Sequence, residues 1–74
     1  MDKRLAAITR KQLSEEKKIK LAQTLRQYRQ ERNLSQEGLA QLIGTSVFSI
    51  SRWERAKHYP PQTTLKLMKL IGVI

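Results

Sequence analysis

Cysteine is absent from this chain of 74 residues, and that absence removes disulfide staples, thiolate metal sites and cysteine nucleophiles. It also makes a reducing compartment, the cytoplasm, the expected setting. A single histidine, His58, cannot build a zinc site alone. Acid is scarce: six Asp and Glu stand at the expected helix starts or beside basic groups, and no cluster of them is spaced to hold a metal. A Ser–His–Asp set and a glycine-rich phosphate loop are missing as well, so no catalytic role, cofactor or metal is expected. Apolar runs stay far below the roughly 18 residues of a membrane span. The basic start, MDKRLAAITRKQL, lacks the continuous apolar core of a secretory signal. Nor does the chain carry the wide apolar face with aromatic anchors of a membrane-surface helix.

What is present in excess is positive charge. Fifteen Lys and Arg give a net charge of +9, and such a surplus points to a polyanionic partner, nucleic acid before membrane. The surplus is uneven: residues 1–33 carry ten basic and four acidic side chains, residues 34–74 five and two. The length allows one small domain, which buries only about 60% of the surface its unfolded chain exposes.

Apolar spacing divides the chain into short helices. Residues 1–13, with Leu5, Ile8 and Leu13, read either as a basic arm or as a short helix. Residues 14–74 read as the folded domain. Ser14 followed by Glu15 and Glu16 resembles a capped helix start, and Leu21, Leu25 and Tyr28 continue that helix to about Glu31. Asn33 suits a left-handed stop. Ser35 opens a second helix whose apolar positions are Leu39, Ala40, Leu42 and Ile43, ended by Gly44. Thr45 or Ser46 opens a third, which holds Ile50 and Trp53. Tyr59-Pro60-Pro61 cannot continue a helix. A last helix runs from about Gln62, with Leu65, Met68 and Ile71 inward, and stops at Gly72. No strand alternation, internal repeat or low-complexity tract is present. The class is all-α, four to five short helices around one core.

The informative stretch is Gln36–Arg55, QEGLAQLIGTSVFSISRWER. Small Ala40 lets one helix cross closely over another, Gly44 supplies the unusual turn angle, and Leu39, Ile43, Ile50 and Trp53 form an apolar wedge. Together with Leu25-Arg26, Tyr28-Arg29, Leu34-Ser35-Gln36, Glu54, Pro61, Leu65 and Gly72-Val73, this stretch resembles the Xre/Cro-type helix-turn-helix family. The resemblance extends from about Leu21 to Val73. It implies a compact lambda-repressor-like bundle and sequence-specific binding of double-stranded DNA by a recognition helix at about residues 46–55.

On a helical wheel the third helix turns Ile50 and Trp53 one way and Val47, Phe48, Ser51, Arg52 and Arg55 the other. A major groove admits one helix, read from its N-terminal residues. Ser46, Val47, Phe48, Ser51 and Arg52 are therefore the candidate base-reading set. Arg52 suits guanine O6 and N7, and Val47 and Phe48 suit a thymine methyl. The competing reading of Phe48 and of Val47 is a place in the core, and that of Arg52 a solvated charge. Trp53 reads as core and His58 as surface. Gln36, Arg55, Lys57 and Arg26 are the candidate phosphate ligands, Gln36 because the resemblance puts a phosphate-binding polar residue there. The resemblance also implies that Arg29 and Glu54 form a structural ion pair.

Four places depart from the family: Ala56, Lys69 where a small apolar residue is common, the end at Ile74, and the long N-terminal extension. Ala56 stands where a glycine is usual, which implies a differently shaped turn and bears on the Lys57 contact. The chain reaches Ile74 without the further helix that supplies the dimer contact in many relatives, which leaves Val73-Ile74 and the N-terminal arm as candidate dimer surfaces. The leading expectation is a repressor, of the kind phages and mobile elements carry, bound as a homodimer to a palindromic operator. The alternative is an antitoxin that binds a cognate toxin and autoregulates its operon.

Overall fold

The structure, a computed structural model, describes residues 9–74. The arm or short helix expected over residues 1–13 therefore lies, for residues 1–8 with Leu5 and Ile8, outside the described residues. Four helices follow in order: α1 (Arg10–Glu31), α2 (Gln36–Ile43), α3 (Val47–Glu54) and α4 (Gln62–Leu70). No strand occurs among the described residues.

The first helix starts earlier than the Ser14 expected from the sequence. Thr9 is its N-cap: the Thr9 hydroxyl accepts from the Gln12 N–H at 3.2 Å, and Gln12 Oε1 accepts from the Thr9 N–H at 2.9 Å. This reciprocal box satisfies two orphan donors at once, so Ser14 falls inside the helix, where it is exposed. At about 1.5 Å per residue the 22 residues of α1 extend roughly 33 Å. Only its second half packs. Leu21, Ala22 and Leu25 are buried, whereas no residue from Arg10 to Lys20 is.

The short helices start on serines. Ser35 Oγ accepts from the Gly38 N–H at 2.9 Å, and Ser46 Oγ from the Ser49 N–H at 3.1 Å. Each helix ends on a left-handed residue: Asn33 (φ 52°), Gly44 (φ 83°), Ala56 (φ 57°) and Gly72 (φ 83°). Such a residue turns the chain so that following N–H groups reach back to the last carbonyls. After α3, for instance, the Ala56 N–H bonds Trp53 O at 3.2 Å and the Lys57 N–H bonds Arg52 O at 3.0 Å. The same pair of bonds closes α1 around Asn33, from the Asn33 N–H to Gln30 O and the Leu34 N–H to Arg29 O. Ala56 thus takes the conformation a glycine would take. The differently shaped turn expected after α3 is not found.

Leu21, Leu25, Leu39, Ala40, Ile43, Ile50, Trp53, Met68 and Val73 form the core, with Tyr28 and Leu65 against it. α3 lies between α1 and α2, and α4 closes the base against α2. One expected core position is corrected: Ile71 is 37% exposed, because Met68 takes the inward place of its helix. Val73 is buried instead of Ile71: the stop at Gly72 folds the chain back, and the Val73 N–H bonds Met68 O at 2.8 Å.

Candidate nucleic-acid interface

α2, the turn at Gly44–Ser46 and α3 form a helix-turn-helix. The left-handed angle at Gly44 brings the Gly44 and Thr45 N–H groups onto the same acceptor, Ala40 O, at 2.8 and 2.9 Å. The chain then restarts at the Ser46 cap. This leaves α3 with one buried face, Ile50, Trp53 and Glu54, and one free face.

The free face holds Val47 (42% exposed), Phe48 (59%) and the exposed Arg52 and Arg55, with Ser51 half-buried. Phe48 is therefore not a core aromatic. Its ring lies under the Arg52 guanidinium, whose Cζ is 4.2 Å from the ring centroid. Arg55 Nε donates to Ser51 O at 3.3 Å. Lys57 and His58 follow in the exposed loop. Among the described ion pairs none involves Arg52, Arg55 or Lys57. The only acid of α3, Glu54, is buried, so this face carries positive charge unopposed by acid of its own helix. Ser46 is exposed, but its hydroxyl is committed to the cap and to Ser49 Oγ at 3.0 Å. Beside Val47 runs a shallow cleft of about 270 Å³ lined by Glu37, Ala40, Gln41 and Thr45. Gln41 and Thr45 were not singled out in the sequence; their nearness to the α3 N-terminus depends on the turn geometry.

Beneath this face is a polar clamp. Arg29 Nε donates to Glu54 Oε2 at 2.6 Å and Arg29 Nη2 to Glu54 Oε1 at 2.8 Å, a fork-on-fork pair. Arg29 Nη1 reaches Leu34 O at 3.1 Å. Gln36 Nε2 adds a bond to Glu54 Oε1 at 3.2 Å, and Arg26 Nη1 donates to Glu54 O at 2.9 Å. Hydrogen bonding to Glu54 holds the Arg29 guanidinium above its ordinary range, against the lowering effect of burial. Gln36 and Arg26, picked as phosphate ligands, thus have their side chains turned onto Glu54. Gln36 fills a lone-pair site of the buried Glu54 carboxylate beyond those that Arg29 takes, and Arg26 binds the Glu54 backbone carbonyl.

Among the described residues no cluster of His, Asp or Glu could hold a metal, and no helix is long and apolar enough to cross a membrane. The profile of a family described as a helix-turn-helix domain matches residues 20–73, most of the chain. No curated protein and no solved structure matches.

Proposed function

The chain belongs to the Xre/Cro-like helix-turn-helix domains, a family of DNA-binding regulators, and from that premise we propose that it is a sequence-specific repressor. The observation that carries the proposal is the division of α3. Ile50, Trp53 and Glu54 anchor it, while Val47, Phe48 and Arg52 stand free on a cationic face of groove-filling width. In this reading Val47, Phe48, Ser51 and Arg52 read bases. Ser46 contributes at the helix entry, where its hydroxyl already accepts an N–H. Arg55 and Lys57 grip phosphates on one side. Gln36 and Arg26 border the same groove, their contacts to phosphate being secondary to the clamp. Free N–H groups at the start of α2 add to the attraction for an anion.

Repression follows from occupancy: a domain seated across a promoter excludes polymerase. A homodimer would place two such helices about one helical turn apart on a palindromic operator. A second reading, an antitoxin, is favoured by one observation. Leu67 and Leu70 of α4, with Ile71 and Ile74 just after it, are exposed apolar side chains, Leu70 83% exposed. Such side chains suit a protein partner, the second copy in the first reading and a toxin in the other.

The deciding experiment compares binding to the DNA upstream of the chain's own gene with binding to a random duplex, across a salt series. A preference of about 10³-fold or more at near-physiological salt is the expected result. Equal binding to both duplexes, lost together as salt rises, would assign the affinity to charge alone and overturn the repressor reading.

A further inference from the structure

We infer that α3 reads a pyrimidine C5-methyl group together with a nearby guanine, through Phe48 and Arg52 acting as one stacked unit. The inference rests on the reading of α3 as the recognition helix and deepens it by naming the chemistry of the target.

Phe48 and Arg52 are one turn apart on the free face of α3, and the guanidinium sits 4.2 Å from the ring centroid. A phenyl ring left 59% exposed adds little to the core. It does restrict the guanidinium, so that less freedom is lost when the fork engages a ligand. The ligand best matched to that fork in the major groove is guanine, through O6 and N7.

The ring itself has no donor or acceptor. One ring face is covered by Arg52; its edge and other face are left for apolar contact. In the major groove the one apolar feature of a base edge is the C5-methyl of thymine. The 4.2 Å stack keeps the ring edge and the guanidinium fork side by side on one turn of α3, so the methyl and the guanine lie close together in the groove. Val47, exposed one residue before Phe48, extends the apolar surface toward the same groove.

A consequence follows for modified DNA. Phe48 senses the methyl and nothing of the polar groups that separate thymine from 5-methylcytosine. The site accepts 5-methylcytosine in place of thymine, and disfavours uracil and unmodified cytosine. Binding is thereby sensitive to cytosine methylation in the target.

The test begins by selecting bound sites from a random duplex pool with the full chain. Four duplexes then vary one pyrimidine near the selected guanine: thymine, uracil, 5-methylcytosine or cytosine. Fluorescence anisotropy should show thymine and 5-methylcytosine bound within about twofold of each other. Uracil and cytosine should be about fourfold weaker, the effect of one buried methyl. Phe48→Ala, with an unchanged circular dichroism spectrum, should bind all four alike. Replacing the guanine by 7-deazaguanine should weaken the natural chain at least severalfold and Arg52→Ala hardly at all. A pool without enrichment overturns the recognition-helix reading and this inference together. An enriched site indifferent to the methyl, or a methyl preference that survives Phe48→Ala, overturns this inference and leaves the recognition-helix reading standing.

Discussion

Ala56→Gly should make the protein more stable, although it removes a methyl group and adds nothing. Ala56 sits at φ 57°, in the left-handed region, where a Cβ costs about 1–2 kcal/mol. Glycine removes that strain. Two effects oppose it. The unfolded chain becomes freer, worth about 0.4–1 kcal/mol, and the half-buried methyl is lost, at most about 0.4 kcal/mol if half of a CH₂ transfer counts. The balance is a gain of about 0.5 kcal/mol, or roughly 2–4 °C in Tm for a domain this small. Trp53, the single tryptophan and a buried one, reports unfolding by its fluorescence. In urea the midpoint should rise by about 0.3–0.5 M with the slope unchanged. Because the Lys57 N–H bond to Arg52 O already has the glycine-type geometry, DNA affinity should not change. Ala56→Val, which forces a β-branched side chain into the same angle, should lose stability. A glycine variant less stable than the natural chain, or a valine variant equal to it, would refute the assignment of strain to this turn.

Other perturbations separate scaffold from interface. Glu54→Ala leaves Arg29, only 22% exposed, without its counter-charge; a loss of about 3–5 kcal/mol is expected, seen as a collapse of the thermal transition. Arg52→Ala should keep the fold and reduce operator affinity by about 1–3 kcal/mol, relaxing preference at one base pair. Lys57→Ala should weaken all duplexes alike and reduce the salt slope by about one; identical behaviour of the two variants would dissolve the distinction between base readers and phosphate ligands. Ala40→Leu drives a larger side chain into a position 4% exposed within the core, and overpacking should cost about 1–3 kcal/mol. A stable Ala40→Leu chain would contradict the close α2–α3 contact.

How much of this was legible in the sequence varies with the range of the forces involved. Ser35, Ser46, Gly44 and Asn33 act through bonds to residues three or four away, so the start and stop of α2, the start of α3 and the end of α1 could be read locally. Ser14 misled because it has the acids of a helix start, whereas Thr9 has the stronger reciprocal partner in Gln12. Periodicity identified most of the core but placed Ile71 inside. On an eight- or nine-residue helix several apolar positions compete for one inward stripe, and only the neighbouring helices decide among them. The free face of α3 was legible because three buried residues fix its rotation. The side chains of Arg26 and Gln36 were not, because the acceptor that captures them lies 28 and 18 residues away in sequence.

The clamp also bears on where the protein's charge can act. A carboxylate at the C-terminal end of a helix faces the negative end of the macrodipole, so Glu54 is tolerable there only with donors around it. Arg29 and Gln36 supply them, while Arg26 donates to the Glu54 backbone carbonyl. They fix the angle of α3 against α1 and the start of α2, and their charge is largely spent on that task. The free cations of the reading face then reduce to Arg52, Arg55 and Lys57. Arg52 being a base reader, the two phosphate ligands Arg55 and Lys57 correspond to a slope of log K against log salt of about −2 per chain. The projecting half of α1 carries Arg10, Lys11, Lys17, Lys18 and Lys20, where no residue is buried. A measured slope near about −2 would confine the DNA to α3 and its following loop. A slope much steeper would require the basic flank of α1 to follow the duplex backbone, and neutral substitutions at Lys17 and Lys20 should then restore the shallower value without altering sequence preference.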